Sequence, residues 1–213
     1  MKKSDASTPC STPLQLGVDG WCINARRLAS PNFNARPPSS SVSLLVIHNI
    51  SLPAGQFGNR HIEDLFLNQL DLQADPSFTS LRDVQVSSHF FIQRDGQLVQ
   101  FVSTLDRAWH AGVSEFQGRF GCNDFSVGIE LEGADDIPFE DDQYRTLVNL
   151  THCLLQQLPL RHIVGHEDIA PGRKTDPGPC FAWKYYQNLL QREMQQTKTL
   201  VPTSAMPAFP FVL

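Results

Sequence analysis

Residues 42–47, Val-Ser-Leu-Leu-Val-Ile, form a short, β-branched, apolar run that stops at His48, and no other stretch limits the fold as much. Such a run reads as a strand buried on both faces. A second signal sets the sheet type. Residues 87–93 and 97–102 flank Arg94-Asp95-Gly96, and an Asp-Gly pair between two strands is a hairpin signal. Residues 126–131 add another strand, with Val127, Ile129 and Leu131 on one face and Gly128 and Glu130 on the other.

Helical spacing of Ile62, Leu65, Phe66 and Leu70 predicts a helix over 61–72. The longest helix is expected over 140–158, with Glu140, Asp141 and Asp142 favouring its N-terminal dipole. A last helix is expected over 183–194. Strands and helices interleave, yet the hairpin forces an antiparallel pair, so the expected class is α+β: a mixed central sheet covered by helices. The length suits one domain, placed at 18–196, with flexible Ser/Thr/Pro-rich segments at 1–17 and 197–213.

A net charge of −5 without long runs of one sign leaves no footprint for nucleic acid or an anionic membrane. The first residues lack the apolar core of a signal peptide and no window reaches the length of a membrane span, so a cytoplasmic location is expected. Cys10, Cys22, Cys122, Cys153 and Cys180 are an odd set without C-x-x-C spacing. They read as reduced, mostly buried thiols.

Residues 165–179 are the densest polar segment, and their glycines and prolines read as a shaped loop without regular helix. His166 and Asp176 offer an imidazole and a carboxylate. One more imidazole would complete the donor set of a catalytic zinc site with a position open for water, and His48, at a strand end, is the leading candidate. Taken alone, His48 reads as a satisfied structural residue and Glu130 as part of a solvated strand face, with Glu132 as a decoy on the same face. Gly128 leaves room beside Glu130 for another group to approach. Trp109-His110-Ala111-Gly112 suits a cleft wall or, equally, core packing. His61, His89, His152 and His162 have no partner suggested by spacing.

The segments VIHNISLPAGQFG, SSHFFIQRDGQLVQFV, RAWHAGVS, CNDFSVGIELEG and GHEDIAPGRKTDPGP, in this order, resemble the cytoplasmic 1,6-anhydro-N-acetylmuramyl-L-alanine amidases of peptidoglycan recycling. The resemblance implies the fold shared with peptidoglycan recognition proteins and a Zn2+ ion held by His48, His166 and Asp176. It makes Glu130 the catalytic acid/base and Lys174 the cation beside the third ligand. Asn49, Trp109, His110 and Arg173 are assigned to substrate contact. More distant relatives use a cysteine as third ligand, but Cys180 falls four residues late, so Asp176 is kept. The family's substrate-anchoring arginines have no counterpart around Asp83-Val84-Gln85-Val86 or at Gly121, which implies a different affinity or peptide preference. The implied partner is a small soluble anhydro-muropeptide acted on by a monomer. A wall-lytic amidase and a non-catalytic muropeptide-binding module are the alternatives.

Overall fold

The computed structural model describes residues 14–197 and 206–209. Along the chain run β1 (Arg26–Arg27), β2 (Phe33–Ala35), β3 (Leu44–Ile50), α1 (His61–Phe66), β4 (Phe90–Ile92), β5 (Leu98–Gln100), β6 (Asp106–Ala108), β7 (Glu115–Phe116) and β8 (Arg119–Phe120). There follow β9 (Ser126–Glu132), α2 (Asp141–Gln157), β10 (His162–Gly165), α3 (His166–Ile169) and α4 (Trp183–Thr197). Six strands form one sheet in the order β1-β5-β4-β9-β3-β10. Only β4 and β5 pair antiparallel; the other neighbours are parallel. The sheet is therefore mixed and mostly parallel, and the antiparallel pair is the one announced by Asp95-Gly96.

Alternation along the strands explains how the sheet is covered. Leu45, Ile47, Phe90, Ile92, Val127, Ile129 and Ile163 share one core cluster with Leu147 and Leu154 of α2 and Tyr186 and Leu190 of α4. The opposite face is covered in two patches. Phe91 and Val99 meet Ile62, Leu65 and Phe66 of α1, while Leu44, Val46 and Val164 meet Ala111, Cys122 and Phe125 from the irregular segment before β9. His48 and Glu130, in register on adjacent strands, lie on this second face. Gly96 has φ +80, and a Cβ there would come within 2.8 Å of the Asp142 carbonyl oxygen, so the hairpin tip can sit directly against α2.

Several elements differ from the sequence expectation for physical reasons. The strand expected to stop at His48 continues to Ile50, because His48, Asn49 and Ile50 pair with Glu130, Leu131 and Glu132. The helix expected over 61–72 ends at Phe66. Asn68 adopts φ 58, Gln69 N–H donates to the Asp64 carbonyl, and Asn68 N–H donates to that of Leu65, which closes the helix as a Schellman motif. Asn32 holds Asn68 there through paired side-chain amides at 2.8 and 3.0 Å. The segment after Gly165 is not wholly irregular. Asp168 accepts the Gly165 N–H at 2.7 Å and stabilises one helical turn, α3.

Leu16 is buried and bridged to Cys22, while Ala208 bridges His162 and Phe209 packs on the main core. Residues 14–17 and 206–209 thus lie against the domain, and Thr197 ends α4; the remainder of both expected tails, with Cys10, lies outside the described residues. Cys22, Cys122 and Cys153 are buried and Cys180 is half-buried, all as free thiols. Among the described residues no helix is long and apolar enough to cross a membrane.

Candidate functional site

Three parts of the chain converge at the C-terminal end of β3. His48 comes from the strand itself, His166 opens α3 directly after β10, and Asp176 comes from the following loop. That loop is tied down twice. Glu167 N–H donates to the Asp176 carbonyl at 2.9 Å, and the Asn49 amide donates to Asp135 Oδ1 at 2.7 Å and to the Pro177 carbonyl at 3.1 Å. Asn49, expected at the substrate, spends its amide on the ligand loop.

His48 Nδ1 and His166 Nδ1 lie 3.0 Å apart, and both face Asp176 Oδ2, at 3.0 and 3.1 Å. Among the described residues this is the group of His, Cys, Asp and Glu atoms that could hold a metal ion, and Cys180 is outside it. Ligands at about 2.0–2.1 Å around a tetrahedral zinc lie about 3.3 Å from one another, so a few tenths of an ångström of widening would accept the ion. The far ring nitrogens also fit ligation. His166 Nε2 donates to the Ala111 carbonyl at 3.1 Å, which leaves Nδ1 its lone pair. His48 Nε2 meets His110 Nδ1 at 2.9 Å, and His110 Nε2 meets Ser126 Oγ at 3.0 Å.

Electrostatics favour a neutral His48 beside a charged Asp176 carboxylate. Burial lowers His48 to about 4, with Asp176 pulling the other way and His166 and Lys174 adding to the fall. Burial would raise Asp176, yet the close approach of the His166 and His48 ring nitrogens outweighs it and holds the carboxyl well below its ordinary range. His110 is also held far below an ordinary histidine, first by burial and then by the neighbouring imidazoles.

Glu130 Oε1 stands 4.0 Å from His48 Nδ1, and Oε2 is buried with no hydrogen-bond partner. Burial pushes this carboxyl well above the usual range, the Asp176 charge adds to the rise, and the Lys174 charge opposes it. The solvated-face reading of Glu130 therefore fails: the whole of β9 is buried. Glu132 is buried too, but it accepts from Gly58 N–H at 2.6 Å and Arg94 N–H at 3.0 Å. It ties two loops together and has nothing left to offer a substrate.

The remaining expected residues divide by position. Lys174 is exposed on the ligand loop, within Coulombic reach of Glu130 and His48. Arg173 donates to the carbonyls of Ala111 at 2.9 Å and Val113 at 2.5 Å. Trp109 is half-buried with its indole N–H on Asn34 Oδ1 at 2.8 Å. His110 lies behind His48, not beside it: its ring fills the space over Gly128, where a Cβ would come within 2.6 Å of the imidazole. The gap read from Gly128 is real, and its occupant is a histidine from a segment without regular structure. His89, given no partner by spacing, accepts the Gly128 N–H at 3.0 Å and meets the His110 ring edge-on at 5.6 Å. Nothing in its spacing could have found it.

The family model for N-acetylmuramoyl-L-alanine amidases matches residues 38–179, which contain every residue just described except Asn34 and Cys180. The 1,6-anhydro-N-acetylmuramyl-L-alanine amidase AmpD of Escherichia coli (strain K12) is 49% identical over 176 residues, covering 82% of this chain and 96% of that protein. A crystal structure of a selenomethionine AmpD derivative matches with a TM-score of 0.78 at 48% identity, covering 81% of this chain and 97% of that one. The amidase AmiD from E. coli, in complex with the substrate anhydro-N-acetylmuramic acid-L-Ala-D-γ-Glu-L-Lys, matches with a TM-score of 0.51 at 29% identity over 83% of this chain and 65% of that one. Sequence motifs, sheet topology and relatives agree, and the chain belongs to the N-acetylmuramoyl-L-alanine amidase family.

Proposed function

We propose that this chain is a zinc amidase that cuts the bond between the lactyl group of 1,6-anhydro-N-acetylmuramic acid and L-alanine in soluble muropeptides, as a cytoplasmic step of cell-wall recycling. The observation that carries this reading is Glu130: a buried carboxylate with an unpartnered oxygen, aimed at the edge of a His–His–Asp triangle. Burying such a group unsatisfied is costly, and a site that turns over water and an amide gives it a use. Similarity to AmpD over most of both chains supports the substrate class.

His48, His166 and Asp176 would hold a zinc ion, which when bound would supply a Lewis acid for the amide carbonyl and a lowered pKa for water. Glu130 takes a proton from the attacking water as the new carbon–oxygen bond forms, then delivers it to the L-alanine nitrogen as the carbon–nitrogen bond breaks. One carboxylate serves both transfers, and the products are a lactyl carboxylic acid and a free peptide amine. Lys174 adds positive charge where the carbonyl oxygen becomes anionic, a contribution typically worth about 3–4 kcal/mol per well-placed donor. Trp109 is assigned to substrate contact, and Arg173 braces the Ala111 and Val113 carbonyls while adding charge for the stem carboxylates. Asn49 and His110 act through the ligand loop and through His48. The candidate metal ligands need no residue from a second chain, and the reading takes the enzyme to act as a monomer.

Mass analysis of products from an anhydro-muropeptide, its reducing-end counterpart and intact sacculus, side by side, tests the reading. A higher kcat/KM on the anhydro fragment, with intact peptide released at its L-alanine amine, is expected. Equal or faster release from sacculus would point to a wall-lytic enzyme, and tight binding without release to a recognition module.

A further inference from the structure

We infer that Asn123 is a positioning residue that sets both ligand histidines at once, through the dipeptide His110-Ala111. This rests on the metal-site reading above. His110 and Ala111 lie between β6 and β7, outside every strand, so no ladder fixes their backbone. Their two N–H groups are nevertheless buried, and both donate to one atom, Asn123 Oδ1, at 3.1 and 2.8 Å. Those N–H groups belong to the peptide planes on either side of the His110 Cα. A single acceptor therefore fixes the root of the His110 side chain and the start of Ala111.

Each half of the dipeptide then meets a different ligand. The His110 ring meets His48 Nε2 at 2.9 Å, and the Ala111 carbonyl accepts from His166 Nε2 at 3.1 Å. Both contacts are to the ring nitrogen away from the metal position, where a partner sets tautomer and ring orientation. Asn123 is itself held rigidly. It is 5% exposed, and the Arg36 guanidinium ties down its backbone by donating to the carbonyls of Asn123, Asp124 and Ser126 at 3.0, 3.1 and 2.8 Å. Ser126 in turn carries the far end of His110. The chain from Arg36 through Asn123 to His110-Ala111 ends on both imidazoles of the site.

The test replaces the acceptor and reads the metal. Zinc affinity is measured by competition with a chromophoric chelator, and the visible absorption of the cobalt(II)-substituted protein reports ligand geometry. Asn123→Leu, which keeps the volume and removes the acceptor, should weaken zinc about 10- to 100-fold and change the cobalt bands. Asn123→Asp keeps an oxygen at the same place and should restore affinity and spectrum towards wild type. If Asn123→Leu does not fold, Asn123→Ser, small and too short to reach both N–H groups, is read in the same way and should show the same loss. Wild-type zinc affinity and cobalt bands in a folded Leu or Ser variant would overturn the inference. So would equal loss in Asn123→Asp, which would mark a general structural role. Failure of the wild-type protein to bind zinc at all would instead remove the metal-site reading beneath it.

Discussion

Glu130 and Glu132 sit two residues apart on β9, on the same face by strand alternation, and both are buried, at 8% and 1% exposure. Burial does not separate them; satisfaction does. Glu132 receives two backbone N–H groups and so holds the loop before α1 and the tip of the β4–β5 hairpin at the C-terminal end of β9. Glu130 receives none on Oε2 and faces the ligand triangle. One carboxylate is spent on stability; under the proposed mechanism the other is kept at a cost to stability because the acid/base step uses its free oxygen.

The sharpest way to break this contrast is Glu130→Gln. Turnover should fall about 100- to 10,000-fold with zinc retained and with no loss of unfolding free energy. A fall below about tenfold would move the acid/base role elsewhere. Glu132→Gln should do the opposite. Its amide group would meet an N–H donor, costing about 1–3 kcal/mol in urea unfolding while turnover per folded molecule stays near wild type. A catalytic loss there without a stability loss would dissolve the distinction. Gly128→Ala probes the packing that supports both roles: its Cβ collides with the His110 ring, and overpacking of this kind costs typically about 1–3 kcal/mol and should also weaken zinc by shifting His48. The smallest effect is expected from Cys180→Ser, which should leave zinc content and turnover unchanged; loss of zinc would mean that this thiol, not Asp176, completes the site.

Local signals made much of this visible from residues alone. The apolar run ending at His48, the Asp95-Gly96 turn and the alternation of Val127, Ile129 and Leu131 are encoded within a few neighbours, and the sheet follows from them. Where the expectation missed, the cause was distant in sequence. α1 stops early because Asn32 pairs with Asn68, and β3 runs past His48 because β9 continues beside it. The burial of Glu130 and Glu132 likewise depends on segments far from β9, so periodicity alone read their face as solvated. The ligand triangle could be assembled from residue types, with the family resemblance deciding among candidates. The groups behind it could not. His110 is joined to His48 across 62 residues and Asn123 to His110 across 13, and neither spacing belongs to any helix or strand period.

The central claim, metal-dependent amide hydrolysis at His48, His166 and Asp176, is tested most directly by stripping the protein with a chelator and returning zinc in steps while following peptide release from an anhydro-muropeptide. The account predicts that turnover disappears with the metal and returns in proportion to zinc bound, saturating at about one ion per chain, and that Asp176→Ala recovers neither zinc nor turnover. Full turnover in protein shown to be free of metal, or zinc-restored activity in Asp176→Ala equal to wild type, would contradict it.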